Sequence, residues 1–127
     1  MKKSILFALV LVPTLTILNI NLSEISRAIN KGDAVTLGKY FATAVEISFF
    51  DEGDEYTKAE GVKAVKSFFT KHKPLSFVQV HQGKSKGSAA HYSIGNMETK
   101  DATFRVYIYL EQKAGVFKVK ELRFDKE

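Results

Sequence analysis

The segment Thr103-Phe104-Arg105-Val106-Tyr107-Ile108-Tyr109-Leu110 constrains this chain more than any other. Phe104, Val106, Ile108 and Leu110 fall on one side of an extended backbone, and Arg105, Tyr107 and Tyr109 on the other. Strict period-two alternation specifies a strand with two unlike faces. Val, Ile, Phe and Tyr are also the residues that suit a pleated surface. The segment therefore reads as a central strand of an antiparallel sheet, with its apolar face under a helix.

The rest of the chain supplies partners for that strand. Ser23 is positioned to cap a helix in which Leu22, Ile25 and Ile29 share one side. Lys31-Gly32-Asp33 ends it and caps a second helix over 34–42, which Gly38 weakens. Residues 45–50 alternate as a strand. Asp51-Glu52-Gly53-Asp54 reads as a turn and Glu55-Tyr56 as a short return strand. Thr57-Lys58-Ala59-Glu60 is a capping box. It opens a third helix with Val62, Val65, Phe68 and Phe69 toward the core, and that helix stops before Pro74. Strands follow over 76–82, 90–98, 103–110 and 116–124, with a basic turn over 83–88 and another turn at Ala114-Gly115. Helices first and a meander of long strands after predict an α+β fold, an antiparallel sheet curled around three helices.

A chain of 127 residues, 45% hydrophobic and 26% charged, holds one domain with a real core. The absence of cysteine excludes disulfides, thiolate metal sites and cysteine nucleophiles. At the amino terminus, Lys2 and Lys3 precede an apolar run from Ser4 to Val12, the pattern of a secretory signal. The run is short for a membrane span, which needs about 20 apolar residues. Residues 1–21 are therefore expected to be a signal peptide and 22–127 a single domain, placed in the periplasm or secreted. A buried amino-terminal helix or a retained anchor are the competing readings. Without Lys2 and Lys3, 17 basic residues against 14 acidic ones leave +3, too mild to argue for nucleic acid.

This order of elements resembles the nuclear transport factor 2-like fold, also called cystatin-like, which ketosteroid isomerase and the polyketide cyclases share. Asn30-Lys31-Gly32-Asp33-Ala34, Phe104 through Leu110, and Glu121-Leu122-Arg123-Phe124 resemble one family of small secreted bacterial proteins of unknown function within it. The resemblance spans about residues 22–127. It implies a cystatin-like cone and, for the fold at large, dimers through sheet faces. It implies no activity, because this fold hosts enzymes, binders and assembly modules alike.

Two functional expectations follow. An isomerase- or cyclase-like enzyme would take a small apolar substrate in the cone, and would need a carboxylate base beside a donor such as tyrosine. Tyr40, Glu46, Tyr56 and His81 are the residues that could serve, although the plainer reading of Glu46 is a solvated strand residue and that of Tyr40 and Tyr56 a rim tyrosine. The leading expectation is a non-catalytic binding or assembly module with no cofactor. Parity of the strands over 90–98 and 103–110 puts Tyr92, Arg105, Tyr107 and Tyr109 on one outer face. Tyr and Arg are enriched at interface hot spots, so this face is expected to form a homodimer or partner contact. A small ligand or an anionic partner is a further expectation, from the lysines of the third helix and the 83–88 turn. Membrane contact is expected only through an uncleaved signal segment. His72, His81 and His91 lack a nearby in-phase carboxylate, so no metal site is expected. The 83–87 stretch lacks the strand–loop–helix context of a phosphate loop.

Overall fold

The computed structural model describes residues 16–84 and 89–127. The charged start and apolar run of the expected signal segment, and Ser85 to Ser88 of the basic turn, lie outside them. Three helices precede or interrupt six strands: α1 (Thr16–Lys31), α2 (Ala34–Gly38), β1 (Phe41–Phe49), β2 (Glu52–Thr57), α3 (Lys58–Lys71), β3 (Ser76–Lys84), β4 (Ala90–Glu98), β5 (Thr103–Lys113) and β6 (Val116–Lys126). The expected α+β class is the observed one, a curved, unclosed sheet with three helices.

The strands form one sheet in the order β2-β1-β6-β5-β4-β3. Four of its pairings are antiparallel, but β1 and β6 run parallel. A parallel pair needs a crossover connection. Here everything between Phe49 and Val116 supplies it, which is why the local alternation of each strand gave no hint of it.

Helix α1 begins upstream of the expected start. Ser23 lies exposed within it, not at its cap, because the backbone before it is already helical and leaves no orphan amide for the hydroxyl. Gly32, at φ +68, ends α1, and Asp33 caps α2 by accepting from the Thr36 amide at 3.0 Å. Asn30 ties α1 to the sheet by accepting from the Phe77 amide of β3 at 2.9 Å.

Helix α2 ends at Gly38, four residues short of the expected 34–42. Gly38 packs directly against Val62 of α3, with no room for a side chain. Beyond it the backbone is taken by the sheet: the Val119 amide donates to Tyr40 O at 2.7 Å, and Phe41 pairs with Val119. The next hairpin also differs. Its loop is Phe50-Asp51, not 51–54, and both residues have positive φ (54 and 72), the pattern of a two-residue type I′ turn. Phe50 is an unusual occupant. Edge-on contacts with Phe68, His72 and Phe104, centroids 5.6–6.1 Å apart, hold its ring and offset the backbone strain.

Helix α3 starts as expected. Thr57 Oγ1 accepts from the Glu60 amide and Glu60 Oε1 from the Thr57 amide. Its buried face sets Phe68 and Phe69 against Phe124, with centroids at 4.7 and 6.0 Å, and Phe68 against Phe104 at 5.2 Å. Together with Phe41, Met97, Ile108, Leu110 and Leu122 these rings make one contiguous core between helices and sheet.

Candidate interaction face

Register fixes which side chains share a face. Ser93 pairs with Ile108, Gly95 with Val106 and Met97 with Phe104, all buried under the helices. Gly95 is required there, since a Cβ would lie 2.8 Å from Val78 O and would collide with the Phe77 ring. The alternate residues point outward. Tyr92 pairs with Tyr109, Ile94 with Tyr107 and Asn96 with Arg105. Tyr92, Arg105, Tyr107 and Tyr109 thus lie together on the outer face, at half-buried to exposed positions.

Strand β6 completes this face with three residues that the sequence reading left out. Glu121 sits opposite Tyr109, Arg123 opposite Tyr107 and Asp125 opposite Arg105. The Arg123 guanidinium lies 5.0 Å from the Tyr107 ring centroid, a cation–π contact, and bonds Asp125 at 2.9 Å. Arg105 donates to Asn96 Oδ1 at 3.0 Å and pairs with Glu127 at 3.0 Å. Both arginines are thus tied to carboxylates of their own chain. Tyr92, Tyr107, Tyr109, Glu121 and Arg123 frame a shallow depression of about 240 Å³. The alternation of Glu121-Leu122-Arg123-Phe124 was the signal that could have placed β6 here.

The four residues considered for chemistry do not meet. Tyr40 follows α2 and donates to Glu24 Oε1 at 3.4 Å; burial, and then the Glu24 charge, hold its phenol above the ordinary range. Glu46 is exposed on the outer side of β1, between Glu55 and Glu121. Tyr56 pairs with Val45 and packs on the core from β2. His81 is exposed on β3 and shares a hydrogen bond with the Tyr92 hydroxyl at 3.3 Å. His91 packs edge-on against Phe117 at 5.1 Å, and burial lowers its pKa, helped by Lys84. Among the described residues no three His, Cys, Asp or Glu side chains gather as metal ligands, and no helix is long and apolar enough to cross a membrane.

The interior where a cone-type substrate would sit is occupied by the chain's own rings. Phe41, Phe68, Phe69 and Phe104 are all buried there.

Comparison with known proteins agrees with this architecture. A DUF4783 protein from Bacteroides ovatus superposes with a TM-score of 0.79 at 28% identity, over 83% of this chain and 94% of that one. A DUF4783 protein from Bacteroides uniformis gives 0.78 at 25% identity, over 83% and 95%. An NTF2-like protein from Cytophaga hutchinsonii gives 0.65 at 15% identity, over 91% and 100%, a likeness of fold alone. No curated protein matches the chain. The family described as "Domain of unknown function (DUF4783)" matches residues 22–125, nearly the whole described chain, and the protein belongs to that family.

Proposed function

We propose that this protein is an exported, non-catalytic binding or assembly module that pairs with a second copy of itself through the outer face of β4, β5 and β6. One observation carries the first half of this reading: the interior is filled by Phe41, Phe68, Phe69 and Phe104, so a substrate inside the cone would have to displace the core. Tyr40, between α2 and β1, and Glu46, Tyr56 and His81, on β1, β2 and β3, do not assemble a base and an oxyanion donor around a common point. The isomerase- or cyclase-like alternative would need both.

The pairing rests on the chemistry of the outer face. Three tyrosines offer apolar area with polar tips, and arginines and carboxylates alternate across it. A two-fold contact uses one patch twice, and because Arg105 and Arg123 are already paired with Glu127 and Asp125 within each copy, their charges do not oppose that contact. Because each substitution acts at two places, Tyr107→Glu is expected to abolish pairing with the fold intact. Sedimentation of wild type and variant is the test. A wild-type monomer at high micromolar concentration overturns the homodimer. Tyr109→Glu, at a more exposed position, gives the same reading should Tyr107→Glu unfold. Export rests on Lys2 and Lys3 ahead of the apolar run. Amino-terminal sequencing of protein recovered from its native host checks it, and Met1 in the mature product would refute it.

A further inference from the structure

Between Phe41 and Glu46, strand β1 advances five residues while its neighbour β6 advances two, from Val119 to Glu121. On the other side of β6, Tyr109 faces Glu121 and Leu110 faces Val119, so Lys120 is left over as a bulge. The two irregularities fall at the same height of the sheet. They open a hollow of about 520 Å³ between β1, the first residue of α3, and the hairpin ends of β5 and β6. That volume is typical of small-molecule sites, roughly 300–1,000 Å³. Bulges recur beside such sites because they re-aim side chains.

The lining has two parts. Ala42 and Ala44 form an apolar wall, backed by the buried ring of Phe41. Lys58, Lys113, Lys118 and Lys120 surround it, against a single acid, Glu111. The four lysines come from three elements, so the convergence is a product of the fold and not of a basic run. Among the described residues none of them takes part in an ion pair. Lys118 Nζ donates to the Lys39 carbonyl at 3.5 Å, which anchors it beside the start of β1. Lys58 is the first residue of α3, where the positive end of the helix dipole adds to its charge.

We propose that this hollow binds a small anionic amphiphile. Its carboxylate or phosphate head would lie among the ammonium groups. Its apolar body would lie on Ala42, Ala44 and the methylene stems of the lysines. A bare anion would leave the apolar wall wet, and a neutral lipid would leave the lysines without a partner. Nucleic acid would need a stacking platform, and Phe41, the aromatic residue in the lining, is 1% exposed. The hollow differs in its residues from the outer tyrosine face, so a monomeric wild type would overturn the dimer and leave this site untouched.

Titration calorimetry on the purified protein tests the proposal with four probes below their micellar concentrations: dodecanoate, dodecyl phosphate, inorganic phosphate and dodecyl maltoside. One equivalent of dodecanoate or dodecyl phosphate is expected to bind, and whichever binds tighter identifies the head group. Dodecyl maltoside and inorganic phosphate are each expected to bind at least tenfold more weakly. Lys118→Glu combined with Lys120→Glu should raise Kd at least tenfold without lowering Tm. Failure of both anionic amphiphiles to bind, an unchanged Kd in the double variant, or inorganic phosphate binding as tightly as dodecyl phosphate would each overturn the proposal. Should the variant unfold, amide chemical shifts of the wild type decide. Ligand-induced shifts at Ala42, Thr43 and Ala44 support the site, and shifts that spare them refute it.

Discussion

Replacing Ile108 by alanine tests the two-faced reading of β5 at its centre. Ile108 is 1% exposed and lies between Ser93 of β4 and Leu122 of β6 on the covered face. The change removes three buried carbons, about 2.4 kcal/mol at roughly 0.8 kcal/mol each. Rings on α3 and strands on both sides limit collapse, so a residual cavity of about 50 Å³ adds about 1.2 kcal/mol at roughly 24 cal/mol per Å³. The expected loss is therefore about 3.6 kcal/mol, within the usual 2–5 kcal/mol range for such changes. For a domain of roughly 100 residues this lowers Tm by about 14 °C, at some 4 °C per kcal/mol. Urea melts measure it directly, with an unchanged m-value as the check that the denatured state is not what moved. Tyr109→Ala, one residue on and 36% exposed, serves as the contrast and should cost clearly less. An Ile108→Ala loss below about 0.5 kcal/mol, the surface range, would invert the face assignment and with it the whole placement of the outer tyrosines.

Two further outcomes are expected. Gly95→Ala should cost about 1–3 kcal/mol in urea melts, because its Cβ would press on the Phe77 ring and on the Val78 carbonyl at 2.8 Å; a neutral result would refute the close approach of β3 and β4. The lowered pKa of His91, caused first by burial and then by Lys84, makes the unfolded state the better proton acceptor. The contribution of His91 to stability is therefore fully present above pH 6.5, its unfolded value, and is lost as pH falls through its lower folded value. His91→Phe should flatten thermal melts between about pH 7 and pH 5, and an unaltered slope would remove His91 as the cause.

The part of the fold that was legible is the part held by local rules. The capping box at Thr57 and Glu60, the turn at Ala114-Gly115 and the alternation of β4 and β5 each specify their own geometry, and all stand where expected. The boundaries that moved are those decided by distant contacts. Helix α2 ends early because Val62 crowds Gly38 and Val119 captures the Tyr40 carbonyl, and neither is near in sequence. The turn lies at Phe50-Asp51 and not at 51–54, although Gly53 is the better turn former. The rings of Phe68, His72 and Phe104 instead favour Phe50 in the left-handed region. The parallel contact of β1 with β6 spans most of the chain and leaves no periodic trace.

The candidate site divides in the same way. The outer tyrosines are legible by parity; Glu121 and Arg123 carry the same signal in the alternation of residues 121–124, once the turn at Ala114-Gly115 sets β6 beside β5. For the lysine-lined hollow one trace did exist. Val119 and Leu122 are both buried but three positions apart, a spacing that strict alternation forbids and that a bulge at Lys120 resolves. The two surfaces also differ electrostatically. On the outer face the guanidinium groups are already paired, Arg105 with Glu127 and Arg123 with Asp125. In the hollow the ammonium groups have no ion-pair partner among the described residues. Salt therefore acts on them differently. Raising ionic strength from about 0.1 M to about 1 M shortens the screening length from roughly 10 Å to roughly 3 Å. Amphiphile binding, which gains new charge contacts, should weaken over that range. Pairing through the tyrosine face, which buries apolar area and keeps its existing ion pairs, should hold or strengthen. Parallel salt titrations in which the two equilibria weakened together would show that pairing too depends on charge contacts between copies, and would refute an apolar basis for the outer face.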